Sequence, residues 1–460
     1  MTAQPLQSPM PLLPRQEQDA FADALAAAGT RRLVGSVVDM AGVARAKTVS
    51  ISRAQAFHSG GLGASPTWNV FCIDNTVAVT DRLGVVGDLR LRADLRAARI
   101  LTNGYAWAPA EMFDQHGRPW PGCARGHLRS VQARAQADGL SALVGNELEF
   151  VVTAADRTRL PGDLWQAYGL GPTFTYEAFL ADLAAALDEA DLKVEQLHAE
   201  AADYQFELSL APAPPLEAAD SVVLARLVIG RVARRHGLLV SFSPLPFPGA
   251  AGNGAHQHLS LSRDRVPLLS GGDGPHGLTA DGAAAVAGIV AGLPETLAVF
   301  AGSVLSAHRL QPGRWSGAFA CWGLENREAA VRFCAATPGN PHGANVELKC
   351  VDPSGNPYLT VGTMLGLALH GLAERTPLPP EVTRDPALLD PAAAAAASVV
   401  PLAETQADML AALRSSALAE RLLGSDIFDA LLAVREHEAK TYDGVAVEEL
   451  ARRFRYAWSF

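Results

Sequence analysis

The segment Gly145-Asn146-Glu147-Leu148-Glu149-Phe150 constrains this chain more than any other stretch, because it sets two carboxylates two residues apart inside an apolar run. In an extended strand successive side chains alternate, so Glu147 and Glu149 share one face while Leu148, Phe150 and Val152 share the other. One face seeks a core; the other gathers negative charge. Two carboxylates a few ångströms apart repel, and burying either without a partner costs on the order of several kcal/mol. A bound cation is the natural way to hold them together. Read alone, the alternation equally describes a half-buried strand with a solvated face, so the rest of the chain decides between the two.

At 460 residues the chain exceeds one ordinary core, and two or three units are expected. Hydrophobic content of 49% against 19% charged residues describes a soluble, well-packed protein. No apolar run approaches the roughly 20 residues that span a bilayer, so a membrane partner is not expected. A net charge of -10 without a basic block argues against nucleic acid. Cys72, Cys123, Cys321, Cys334 and Cys350 are scattered and form no C-x-x-C pair, which argues against a disulfide framework or a zinc knuckle and for a reducing cytoplasm. Residues 1–18 are rich in Pro and Gln and lack the pattern of a secretory signal, so they read as a mobile tail.

After it, helical composition at 19–28, β-branched runs over 32–52 and strand candidates at 68–79 and 88–92 form a small α+β unit over 19–115. Turn formers at 112–121 read as a linker to a larger unit, 122–460. There the spacing predicts helices from about Gly126 to Gly139, over 175–191, and over 220–236 with Asp220 as N-cap. A strand is predicted at 204–210, and apolar helices over 283–301 and 360–373. Strands and helices alternate irregularly, which favours an α+β fold with an antiparallel sheet. No P-loop and no strand-linked G-x-G-x-x-G is present, so a nucleotide must be held by other means.

Glu147 and Glu149 are not alone. Glu200 and Glu207 bracket the start of one strand candidate, His256 and His258 alternate on another, and Glu347 alternates with Asn345 and Lys349 on a fourth. A lone histidine in such a strand is more often a hydrogen-bonded core residue than a ligand. Four strands repeating the same anomaly point instead to a metal site, and mostly oxygen donors suit Mg²⁺ or Mn²⁺ better than zinc. Arg309, Arg327 and Arg332 form a second constellation. Any one of them alone reads as a surface ion pair. Beside a multi-carboxylate site they describe a phosphoryl-transfer pocket, because guanidinium forks bind phosphate or carboxylate bidentately.

The succession N-E-L-E-F, E-x4-Q-x-E (Glu200 to Glu207), G-N-G-A-H-Q-H-L-S-L, R-L-x-P-G, W-G-x-x-N-R-x-A-A-x-R and E-x-K-x-x-D-x-x-x-N-P-Y-L resembles the glutamine synthetase superfamily, type I, over essentially the whole chain after the tail. The resemblance implies an N-terminal β-grasp domain and a C-terminal catalytic domain, assembled as a homododecamer of two stacked hexameric rings with each site shared between subunits. It implies ATP and Mg²⁺ or Mn²⁺ as cofactors. Glu149, Glu200 and Glu207 would hold one metal, and Glu147, His256 and Glu347 the other. Arg327 and Arg332 would hold ATP phosphates with His258 near the nucleotide, and Arg309 the carboxylate of the amino acid. Asp74, fourteen residues before Asp88, would reach the neighbouring site and deprotonate the amine. The implied chemistry is attack of a carboxylate on the ATP γ-phosphate, followed by opening of the acyl phosphate by an amine.

Departures from the family pattern bear on the substrate. Six residues after Arg309, where true glutamine synthetases carry a Glu that helps bind ammonium, stands Trp315. An indole offers apolar area and a π-face to an alkyl or aryl amine where a carboxylate would attract NH₄⁺. Tyr204, Ala251 and Val77 replace small or polar family residues, and Lys349 stands where the family has Arg. These observations favour a ligase joining glutamate to a primary amine other than ammonia, such as a polyamine, ethanolamine or an aromatic amine. The alternatives are a ligase of the same mechanism acting on another carboxylic acid, or a catalytically silent oligomer. Residues 385–399 offer no tyrosine for regulation by adenylylation.

Overall fold

A computed structural model describes residues 9–160, 165–341 and 343–460. Six strands form the first sheet: β1 (Arg32–Val38), β2 (Ala44–Ser50), β3 (Leu62–Ala64), β4 (Leu89–Ala93), β5 (Arg99–Leu101) and β6 (Tyr105–Phe113). Their order is β2-β1-β6-β4-β3, with β5 beside β6; β1 and β6 run parallel and the other pairs antiparallel. Leu33, Val37, Phe57, Leu91 and Met112 build a core of their own beneath this sheet.

Three expectations for this region are corrected. Residues 1–8 of the segment read as a tail lie outside the described residues. From Met10 onward the chain is packed: Met10 and Leu13 are buried, the Leu13 N–H donates to His58 Nε2 (3.1 Å), and Pro14 leads into the helix Arg15–Ala27. The proposed strand at 68–79 is instead a short 3-10 turn, Pro66–Asn69, followed by a tight turn with Asn75 at φ 66°. The Asp74 carboxylate accepts the Thr76 N–H (2.9 Å) at the tip of this turn, and the two arms pair only through a single antiparallel bridge, Phe71 with Val77. The linker read at 112–121 begins inside β6.

The second sheet has ten strands: β7 (Leu140–Ala154), β8 (Val194–Ala199), β9 (Gln205–Ala213), β10 (Leu238–Ser241), β11 (Gln257–Arg263), β12 (Val266–Pro267), β13 (Phe319–Leu324), β14 (Ala329–Cys334), β15 (Asn345–Leu348) and β16 (Val400–Pro401). The order is β16-β13-β14-β15-β11-β7-β9-β8, antiparallel throughout except for β13 and β14. On one face Leu148 and Phe150 are fully buried, with Phe150 against Phe206 and Phe242. Helices Ala124–Ala137, Pro215–Arg235 and Pro357–Glu374 pack together on that side.

Asp220 is not an N-cap. Its helix begins five residues earlier at Pro215, where proline's missing N–H costs nothing. Asp220 is buried mid-helix because Arg125 grips it bidentately (2.9 and 2.8 Å), while the same guanidinium meets Glu111 of β6 (2.7 Å) and the Tyr358 hydroxyl donates to Asp220 (2.8 Å). This buried cluster joins the first sheet to the three helices that carry Arg125, Asp220 and Tyr358, and removing one partner would leave the others uncompensated.

The apolar helix over 283–301 runs Ala280–Phe300, which is long and apolar enough to cross a bilayer and so corrects the expectation that no such run exists. Within its most apolar window 78% of residues are buried inside the protein, against Pro357–Glu374. The two backbones touch at glycine: a Cβ on Gly288 would lie 2.4 Å from Leu367 O and 2.6 Å from Gly371 Cα. Gly288→Ala should therefore lower thermal stability by about 1–3 kcal/mol through overpacking, whereas Gly339→Ala, whose Cβ meets nothing within 4 Å, should not. Equal melting midpoints for the two variants in calorimetry would contradict this packing.

Candidate active site

The register of the second sheet lines up its charged groups. Glu149 on β7 lies directly opposite Glu207 on β9, which lies opposite His198 on β8. On the other side His258 of β11 lies opposite Glu347 of β15, which lies opposite Arg332 of β14. The rows meet where β11 pairs with β7. With a period of two, the residues between them, Leu148, Leu208, Val346 and Phe333, turn into the core. The solvated-face reading of the Glu147 strand is thereby set aside: its polar face lines a cavity of about 730 Å³.

Glu147, Glu149, Glu200, Glu207, His256 and Glu347 all line that cavity. Glu147 lies between both imidazoles, with one oxygen 3.1 Å from His256 Nδ1 and the other 3.2 Å from His258 Nε2. Glu149 accepts from the Gly254 N–H and from Gln205 Nε2, both at 2.9 Å. A Cβ on Gly254 would lie 2.5 Å from His256 Nε2 and 2.7 Å from Glu149, so only glycine fits there. Glu200 accepts from the Tyr168 hydroxyl (2.7 Å) and stands 3.2 Å from His198 Nε2. Among the described residues, three groups bring their ligand atoms within 4.8 Å of one another: Glu147, Glu207 and His256; Glu147, His258 and Glu347; His198, Glu200 and Glu207. Glu147 thus bridges two clusters, and two histidines join groupings in which the resemblance gave them no ligand role.

Electrostatics separates the two sides. Burial, reinforced by Glu147, Glu149, Glu200 and Glu347, pushes the Glu207 carboxyl up to about 9. Burial acts the same way on Glu347, but Lys349, whose Nζ is 3.1 Å away, together with His256 and His258 brings it down to about 2. Glu347 has the Lys349 ammonium beside it, whereas Glu207 is surrounded by like charges. A pocket of carboxylate oxygens with a few imidazoles fits a hard divalent ion such as Mg²⁺ or Mn²⁺.

Arg332 donates to Glu347 (3.0 Å) and pairs with Glu325. Arg309 is buried in the wall, its guanidinium against Cys350 O, Lys349 O and His256 Nε2. Arg327 is exposed at the rim of the same cavity. Trp315 lines it too, 54% exposed, at φ 52°, with its N–H held by the buried Glu328 (2.9 Å). His258 lies beside the cavity, bonded to Asn345 (2.9 Å) and Glu147. Asp74 is elsewhere, on a second cavity of about 550 Å³ shared with Arg157 and Tyr456. Sequence reasoning missed Tyr168 and His198, and gave Gln205, the Gln of E-x4-Q-x-E, no role. The latter two carried a signal, each standing two residues before an acidic candidate; Tyr168 carried none.

The glutamine synthetase catalytic-domain model matches residues 121–453. The chain belongs to the glutamine synthetase family. It is 40% identical over 447 residues to the gamma-glutamylpolyamine synthetase of Streptomyces coelicolor, covering 95% of this chain and 96% of that one. The glutamine synthetase of Clostridium saccharobutylicum is 31% identical over 308 residues, 64% of this chain and 68% of its own. Among solved structures, a glutamine synthase homolog superposes with a TM-score of 0.82 at 30% identity over 93% of this chain and 98% of the other. The ADP complex of GmaS does so at 0.81 and 23% identity over 94% and 98%, a likeness of fold. As a family member the chain is an ATP-dependent carbon–nitrogen ligase of the glutamate–amine type.

In metal-free protein the raised Glu207 carboxyl favours the folded state most below its ordinary value of 4.5, and that contribution is lost as pH rises to about 9. Mn²⁺ should therefore raise the melting midpoint more at pH 8 than at pH 6. At pH 8 Glu207→Gln should melt above wild type without metal and gain less from Mn²⁺. Indifference of both proteins to Mn²⁺ and Mg²⁺ would exclude a cation from this cluster.

Proposed function

We propose that this protein joins the γ-carboxylate of glutamate to a primary amine other than ammonia, through an acyl phosphate. The observation that carries this reading is Trp315, an indole on the wall of the cavity that Glu147, Glu149, Glu200, Glu207, His256 and Glu347 also line. Ammonium recognition calls for a carboxylate or a ring of acceptors; an exposed indole favours an amine with carbon attached, by contact area and by attraction of its π-face for the charged nitrogen. The similarity to a gamma-glutamylpolyamine synthetase supports the same class of acceptor.

In this reading Glu149, Glu200 and Glu207, joined by His198, hold one cation, and Glu147, His256 and Glu347 the other. Bound Mg²⁺ or Mn²⁺ supplies charge neutralisation for the polyphosphate. Arg327 and Arg332 orient the ATP phosphates, and Arg332 is kept in place by Glu347. Arg309, fixed by two backbone carbonyls, meets the carboxylate of glutamate. A γ-carboxylate oxygen bonds to the terminal phosphorus as the bond to ADP breaks. A proton from the ammonium group passes to Asp74, the freed nitrogen lone pair bonds to the acyl carbon, and phosphate departs with the second proton lost from nitrogen. That Asp74 lines a different cavity from Glu147 supports, in this reading, its serving the site of a neighbouring copy in two stacked hexameric rings. Five unbridged cysteines fit a reducing cytoplasm.

A second reading, an acid other than glutamate, is favoured by Lys349, which stands where the family has Arg and whose ammonium pairs with Glu347 on the cavity wall. Purified protein given ATP, Mg²⁺, glutamate and a panel of amines should release ADP only when an alkyl, polyamine or aryl amine is present; ADP release with ammonia alone, or with no amine tested, would reject the first reading. Amine-dependent turnover that requires an acid other than glutamate would establish the second. Trp315→Glu should shift the ratio of kcat/KM between ammonia and the preferred amine by at least about tenfold toward ammonia.

A further inference from the structure

The turn that carries Asp74 is fastened, almost residue by residue, to the helix Ser425–Thr441 and the tyrosine that follows it. Cys72 Sγ approaches Val434 O at 4.0 Å, the Ile73 N–H donates to Glu438 (2.7 Å), and Thr76 Oγ1 lies 3.2 Å from His437 Nε2. Tyr442 donates its hydroxyl to Asp74 Oδ2 at 2.7 Å. Glu438 is itself fully buried against Arg435 (2.9 Å), which also donates to Ser354 O (3.0 Å), so the clamp is rooted in the interior of the catalytic domain. The Tyr442 ring is held edge-on to Phe454 at 5.0 Å, with the Arg453 guanidinium 5.0 Å from its centre.

A local turn explains part of this. Asp74 Oδ1 accepts both the N–H and the hydroxyl of Thr76, as an Asp does in many tight turns. It does not explain a phenol reaching the other oxygen from 368 residues away. With Oδ1 saturated by two donors and Oδ2 given one, the carboxylate is fixed in rotation and keeps acceptor capacity on Oδ2, on the wall of the second cavity. Burial pushes the Asp74 carboxyl up, but the hydrogen bonds from Thr76 and Tyr442 outweigh it and leave it below its ordinary value. Asp74 therefore meets an incoming ammonium group as an anion with one lone pair aimed.

We propose that Tyr442 is a positioning residue for amine recognition: it orients the Asp74 carboxylate, and through the helix Ser425–Thr441 the C-terminal region of one chain sets the amine affinity of the site that Asp74 serves. This rests on the reading of Asp74 as the amine-side carboxylate. Tyr442→Phe keeps the ring and its contacts while removing the donor. It should raise the KM for the amine about tenfold, the worth of one hydrogen bond to a charged group, with the KM values for glutamate and ATP unchanged. In an Asp74→Asn background the same substitution should have no further effect on the amine KM. Should Tyr442→Phe fail to fold, replacement of Tyr442 by 3-fluorotyrosine, a stronger donor of nearly the same size, should lower the amine KM below wild type. Unchanged amine KM, equal changes in all three KM values, additive effects in the double variant, or indifference to fluorination would overturn the inference alone, provided that Asp74→Asn itself impairs amine use. Wild-type amine kinetics in Asp74→Asn would overturn the placement of Asp74 and the inference with it.

Discussion

Repulsion among the carboxylates on one face of the ten-stranded sheet is the constraint on which the rest of this structure depends. Glu147, Glu149, Glu200, Glu207 and Glu347 share a single cavity, and the backbone leaves them no freedom to disperse, because pairing register places them in rows across β8, β9, β7, β11, β15 and β14. What keeps the strands in that register is the opposite face. Leu148, Phe150, Phe206 and Leu208 are fully buried, and a slip of one residue would turn them outward and bring the carboxylates into the core. The hydrophobic core thus holds the charged face in a repulsive arrangement that a divalent ion would relieve.

The relief is uneven by construction. Lys349, His256 and His258 already compensate Glu347, whereas Glu207 faces four like charges and a partly buried histidine. The first cluster is compensated before any ligand arrives and the second is not. The arginines repeat the division: Arg332 and Arg309 are anchored by a carboxylate and by backbone carbonyls, whereas Arg327 is exposed at the rim of the cavity.

Much of this was legible in the sequence, for physical reasons that differ by residue. The period-two alternation at Glu147 and Glu149, and again at His256 and His258, announced strands with a charged face, and the structure places these residues in β7 or beside and within β11. Asp220 misled because a carboxylate near a helix start looks like a cap, whereas its actual partner, Arg125, lies 95 residues away and leaves no local trace. The stretch around Asp74 misled in the opposite sense. It read as one strand, but the side chain of Asp74 closes a turn in its middle and folds its two ends onto each other at the Phe71–Val77 bridge. The helix Ala280–Phe300 contains more length and apolarity than the composition of the chain led one to expect, and glycine contacts with its partner helix show it is core. Tyr168 joined the site through a loop and a positive φ that no periodicity encodes.

The central claim is that this charged face transfers the terminal phosphoryl group of ATP to a carboxylate, which an amine then displaces. Glutamate carrying ¹⁸O in both γ-carboxylate oxygens tests it directly, since one labelled oxygen must bridge carbon and phosphorus before the amide forms. The account predicts one ¹⁸O in the inorganic phosphate for each amide produced, with none in ADP. Amide formation accompanied by unlabelled phosphate would contradict it.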